Sequence, residues 1–183
     1  MRFLFNDRNR KKRSFRHLIM VATLLILHAC GGDSNSSNVQ SSGTIERVAS
    51  EFNLLVPQDA TIEKLAEGFA FTEGPVWDRR NNQLYFSDLS SNAIHTWSDA
   101  EGLKTFLQPV FEGDTEHPMV GSNGLNLDNE GRLLLMEHGN RVVSRIETDG
   151  SRTILADNYR GNRLNSPNDS VWHSNGWLYF TDP

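Results

Sequence analysis

Residues 123–138 read NGLNLDNEGRLLLMEH, and this stretch has two near copies in the chain. Upstream, residues 73–88 read EGPVWDRRNNQLYFSD; downstream, residues 168–182 read NDSVWHSNGWLYFTD. Each copy opens on a short apolar element: Val76 and Trp77, Leu125 and Leu127, or Val171 and Trp172. Each then turns through Asn or Gly and enters a second apolar element, LYF, LLL or LYF, that ends on a polar residue. Short apolar runs bounded by Asp, Asn and Gly, with no sustained helical period, predict strands.

The segments between the copies repeat as well. NAIHTWSDAEGLKTFL from Asn92 resembles NRVVSRIETDGSRTIL from Asn140. Each predicts two further strands joined by a hairpin, at Glu101-Gly102 in one and at Asp149-Gly150 in the other. Four strands per unit at a period of 45 to 50 residues is the pattern of a β-propeller, each unit a blade. The fold class is therefore all-β. The third copy is only two strands long at Pro183, whereas propellers close with about 4–8 blades. The expectation is an N-terminal fragment of about two and a half blades from a longer chain.

The strands also serve as a ruler. Trp77, Leu127 and Trp172 hold one repeat position, 50 and 45 residues apart, and four residues before each stand Glu73, Asn123 and Asn168. In a propeller the innermost strands line the central channel, so residues at their entrances converge on its axis. Carboxylate and carboxamide oxygens are hard ligands that suit Ca²⁺, Mg²⁺ or Mn²⁺. One acid among neutral oxygens leaves a bound ion with positive charge for Lewis-acid work. The plainer reading, Asn and Glu as ordinary turn residues that bond the local backbone, stays open on spacing alone.

Composition bounds the class. With 183 residues, 37% hydrophobic and 22% charged, the chain can bury one sizeable core. The formal charge is −5, although the first 29 residues carry seven Arg or Lys against Asp7 alone, so the remainder is strongly acidic. That balance argues against a nucleic-acid partner, whose binding rests on phosphate neutralisation. There is no GxSxG elbow, HExxH motif or phosphate-cradling glycine loop.

The basic start leads into the apolar run LIMVATLLIL at residues 18–27, too short to span a bilayer and typical of a secretory signal. The single cysteine, Cys30, follows directly, with Leu27 and Ala29 before it, and the stretch resembles a lipoprotein signal in which the Cys is lipidated. His28 departs from that pattern. Residues 31–44, GGDSNSSNVQSSGT, predict a flexible tether. The expected layout is a signal over 1–29, a lipidated Cys and tether over 30–50, and a partial propeller over 51–183. The expected location is the cell envelope, lipid-anchored on the periplasmic side. Gly31 after the Cys favours the outer membrane.

TEGPVWD, NGLNLDNEGRLLLMEHGNR and RLNSPNDSVWHSNGWLYFTDP resemble the SMP-30/gluconolactonase/LRE family over roughly residues 50–183. The resemblance implies a six-bladed propeller in the full protein, one divalent metal (Ca²⁺ first, with Zn²⁺, Mg²⁺ or Mn²⁺ as alternatives) and hydrolysis of a sugar-acid lactone. It implies that Glu73 is a metal ligand and that Asn168, in the PND motif, lies at the metal or its substrate. Asn123 sits in an SNGL context that is ligand-bearing in the family but at a different place in the blade order, so its role stays open between metal and substrate. Asp169 is an orienter of the site or a turn residue, and His138 a candidate substrate contact; His117 is a second possible channel residue. The Asp that acts as general base is expected beyond Pro183, so the fragment alone is expected to be inactive. The competing reading is a non-catalytic, metal-stabilised propeller acting as an envelope binding or scaffold lipoprotein. Strictosidine-synthase-like and paraoxonase-like propellers share the architecture, so the particular lactone stays open.

Overall fold

The structure, a computed structural model, describes Phe5–Asn6 and residues 42–183. The readings of the signal, of Cys30 and of most of the tether fall on residues outside those described. The chain divides into two compact units, residues 11–67, and residues 1–10 with 68–183. In the first, a 3-10 turn over Ser50–Leu54 buries no residue of its own. Arg47 organises that unit by donating through Nη1 to Asn53 Oδ1 and to the Val56 carbonyl, each at 2.9 Å.

The second unit is all-β. After the two-residue strand β1 (Phe5–Asn6), eight strands form two successive four-stranded antiparallel sheets. The first sheet is β2 (Thr72–Asp78), β3 (Gln83–Asp88), β4 (Ala93–Ser98) and β5 (Gly102–Leu107), paired in chain order. The second is β6 (Ser122–Leu127), β7 (Leu133–Glu137), β8 (Val142–Ile146) and β9 (Arg152–Ala156), again in order. A hairpin, β10 (Asn158–Tyr159) and β11 (Asn162–Arg163), precedes a third sheet in which β12 (Ser170–Trp172) pairs with β13 (Trp177–Phe180) and β13 with β1. These are two complete propeller blades and the first two strands of another, as the repeat predicts.

The blades stack face to face, and β7 shows why its sequence does not alternate. Leu133 and Leu135 enter a core with Tyr85, Ile94 and Val110 of the first blade and its loop, and with Leu125 of β6. Leu134 and Met136 point the other way, into a core with Val143, Leu164, Leu178 and Phe180. A strand covered on both faces reads as an unbroken apolar run, hence LLLM.

The two hairpins expected at Glu101-Gly102 and Asp149-Gly150 are present, but with loops longer than two residues. Ser98 pairs with Gly102 across one, and Ile146 with Arg152 across the other. Gly150 takes φ +83° and its N–H donates to the Glu147 carbonyl, so the glycine closes a wider turn instead of sitting inside a two-residue one.

Candidate functional site

The register inferred from sequence is the register of the fold. Trp77 pairs with Leu84, Leu127 with Leu133 and Trp172 with Leu178, so Glu73, Asn123 and Asn168 stand at one position of their blades. Both β2 and β6 carry a bulge there, between Glu73 and Val76 and between Ser122 and Leu125. A bulge inserts one residue, bends the strand and re-aims a side chain, which suits the rim of a channel.

Glycine lets these entrances touch through their backbones. A Cβ on Gly74 would strike the Asn123 carbonyl and lie 2.6 Å from the Leu125 nitrogen; on Gly124 it would lie 2.6 Å from the Asn168 carbonyl oxygen. Gly124 N–H in turn donates to that carbonyl at 2.7 Å, stitching the second entrance to the third. Near the first and second entrances the buried hydroxyls of Ser87 and Ser122 share a hydrogen bond of 2.8 Å.

Supports that the sequence reading did not single out hold the approach to two of the entrances. Asp88, at the end of β3, accepts from the Ala70 and Phe71 amides at 3.0 and 2.9 Å. Asp182, at the same repeat position, accepts from the Asn165 and Ser166 amides at 2.9 and 2.7 Å. Each ties down the loop two to three residues ahead of Glu73 or Asn168. Burial pushes the Asp88 carboxyl up, but the Phe71 and Ala70 donors outweigh it, and its pKa falls below the ordinary value. The signal was in the sequence, as the repeated FSD and FTD at the strand ends. In the middle blade Glu137 takes this position but turns inward, fully buried, to Ser144 Oγ, Asn140 Nδ2 and the Arg152 guanidinium.

The candidate residues differ in how occupied they are. Glu73 and Asn168 are half-buried, and neither side chain has a hydrogen-bond or ion-pair partner among the described residues. Asn123 is buried, and its Nδ2 donates a long hydrogen bond of 3.4 Å to Nε2 of His138, leaving its carbonyl oxygen without a partner among the described residues. Asp169 is exposed; its Oδ1 accepts from the Ser170 amide at 2.7 Å and lies against Gly124. That is a turn residue's bonding.

His138 borders a cleft of about 400 Å³ walled by the loop after β5, through Phe111, Thr115, His117 and Met119, and by Asn165 and Ser166. Burial holds the His138 pKa below the ordinary imidazole value, and His117 acts the same way, against the carboxylates of Asp182 and Glu73. His138 therefore lies within electrostatic reach of Glu73, between the cleft and the entrances.

The donor set fits a hard divalent cation in kind. Glu73 offers an unpaired carboxylate, and Asn123 and Asn168 offer unpaired carboxamide oxygens. No group of three or more His, Cys, Asp or Glu that could hold a metal ion occurs among the described residues, so any cation here would rest on one carboxylate and neutral oxygens.

Residues 71–183 match the family model of the SMP-30/Gluconolactonase/LRE-like region. A gluconolactonase from Zymomonas mobilis is 31% identical over 171 residues, covering 90% of this chain and 48% of that protein. Among solved structures, a putative gluconolactonase is 36% identical with a TM-score of 0.65, over 74% of this chain and 44% of the other. A gluconolactonase from Xanthomonas campestris is 32% identical with a TM-score of 0.59, over 69% and 39%. The chain thus spans about half the length, or less, of these relatives. With the blade repeat, the register of the entrances and the family match over residues 71–183 in agreement, the chain belongs to the SMP-30/gluconolactonase/LRE-like family.

Proposed function

We propose that the chain is part of a metal-dependent lactonase that opens a sugar-acid lactone of the gluconolactone type. The observation that carries this reading is the set of oxygen-bearing side chains at one register of successive blades, with the Glu73 carboxylate unpaired, in a family whose named relatives are gluconolactonases. Glu73 and Asn168 would hold one divalent cation, Ca²⁺ in the first instance, with Asn123 joining them or facing the substrate. Such a cation supplies polarisation of the lactone carbonyl and a lowered pKa for bound water.

The chain's own residues provide charge, aim and rigidity. Glu73 would neutralise part of the charge of a bound cation and leave the rest for the carbonyl. The bulges bend the strands at the first two entrances, and Asp88 and Asp182 hold the loops that lead to Glu73 and Asn168. Neutral His138 accepts from the Asn123 amide, which orients the carboxamide oxygen away from the imidazole. Ca²⁺ takes about 6–8 oxygens, waters among them, so Glu73, Asn123 and Asn168 would fill part of its shell. From the readings of residues 1–50, the protein acts in the envelope on a lipid anchor at Cys30.

Equilibrium binding of gluconate, the ring-opened product, tests the site. Binding should require Ca²⁺, vanish with EDTA and be lost in Glu73→Gln. Binding indifferent to EDTA would contradict the metal reading.

A further inference from the structure

In both complete blades the residue just before the third strand is left-handed, and strand pairing aligns Asn92 with Arg141, one residue later than the sequence copies pair it. In the first blade it is Asn92, at φ 56°, whose side chain accepts from the Val110 and Phe111 amides and donates to the Phe111 carbonyl. Asn tolerates this conformation because its short polar side chain bonds locally. In the second blade it is Arg141, at φ 59°. A long side chain gains nothing local there, and such a backbone costs about 1–3 kcal/mol unless the surroundings hold it.

Left-handed φ alone does not single Arg141 out, since Arg160 takes φ 52° in the β10–β11 hairpin, where its guanidinium lies over Tyr159. What distinguishes Arg141 is where it stands. Its Nε donates to the Leu164 carbonyl, which anchors the guanidinium plane, and the residue borders the cleft shared with His117, His138, Asn165 and Ser166. It forms no ion pair among the described residues, although Glu112, Asp114 and Glu116 lie in the loop that walls the cleft. The carboxylate of Asp182 is already taken by two backbone amides. Four guanidinium N–H groups are thus left without an anionic partner among the described residues, at a half-enclosed cleft that His138, the partner of Asn123, also borders.

We infer that Arg141 and this cleft form a subsite for an oxyanion, so that the preferred lactone carries a carboxylate or phosphate at the end of its chain remote from the ring carbonyl. The inference rests on the lactonase reading for the word lactone, but the subsite itself does not. A planar guanidinium pairs such groups through two parallel N–H donors, and a charge-assisted pair of this kind is roughly twice as strong as a neutral one. His117, Thr115 and Ser166 stand around the same cleft to receive the remaining oxygens. Phe111 and Met119 supply an apolar wall for the carbon chain.

The test compares ligands that differ only in the second anionic group. Gluconate, glucarate and 6-phosphogluconate are titrated into the full chain, and the ratio of affinities is read. Glucarate or 6-phosphogluconate should bind roughly tenfold to a hundredfold tighter than gluconate. That advantage should disappear in Arg141→Gln and in Arg141→Asn and be partly kept in Arg141→Lys. Arg141→Asn copies the residue of the first blade, so its backbone is tolerated, and an unchanged circular dichroism spectrum shows that the fold is intact. A greater gain for glucarate assigns the subsite to carboxylates, and a greater gain for 6-phosphogluconate to phosphates. Equal affinities for all three ligands, or an advantage that survives Arg141→Gln, would overturn the inference. Loss of the cation requirement for gluconate with the advantage intact would instead refute the lactonase reading alone.

Discussion

The entrance of the first blade and that of the second are built on the same bulge, at the same register, with glycine in the same place, yet they present different chemistry. The first ends in an unpaired carboxylate, Glu73; the second in a carboxamide, Asn123, bonded to His138. Their supports differ too. Asp88 fastens the loop in front of its own entrance, whereas Glu137, one blade on, is drawn into the interior by Arg152. The comparison teaches that the blade supplies position, and single substitutions at repeated positions supply function.

The strongest way to break the comparison is through its glycines. Gly74 combines φ +54° with backbone atoms of Asn123 and Leu125 in the space a Cβ would need, while Gly124 has only the second problem. Gly74→Ala should therefore destabilise by about 4 kcal/mol or prevent folding, and Gly124→Ala by less. Chemical denaturation of both variants checks the order. A similar loss in the two would mean that the left-handed backbone at Gly74 carries no weight.

The supports come next. Glu137→Gln breaks a buried ion pair and should cost about 3–5 kcal/mol. Asp88→Asn removes the charge from two hydrogen bonds and should cost about 1–3 kcal/mol. Asp88→Asn also carries an acid signature. Because the native Asp88 pKa is lowered, the unfolded state binds its proton more readily, so the stabilisation is present above about pH 4 and lost as pH falls through the lower native value. Asp88→Asn should flatten that acid limb in urea titrations run between about pH 5 and 2.

The smallest effect sharpens how the two entrances are joined. A double-mutant cycle on Ser87→Ala and Ser122→Ala should give a coupling of about 1 kcal/mol, since the pair is buried and each hydroxyl partners the other. Additive effects would show that this hydroxyl pair does not help to join the two blades.

Much of this was legible in the sequence. The period, the strand pairs and the alignment of Glu73 with Asn123 and Asn168 follow from apolar runs and turn residues, which are local signals. The contact of His138 with Asn123 was not legible, because it joins side chains across β6 and β7 at a bulge, and a bulge shifts which residues face each other. Nor was the cleft, which depends on the loop after β5 folding back beside Arg141. The copies align Asp88 with His138; strand pairing matches Asp88 to Glu137, and only packing shows that Arg152 has claimed Glu137.

The central claim is that Glu73 is the anionic anchor of a cation site shared by successive blade entrances. Calorimetric titration of Ca²⁺ into the full chain and into Glu73→Gln tests it most directly. The account predicts one cation bound by the parent chain and at least roughly a tenfold loss of affinity in the variant, the effect of removing a charge-assisted contact. Equal affinity in the two, with both folded, would contradict it.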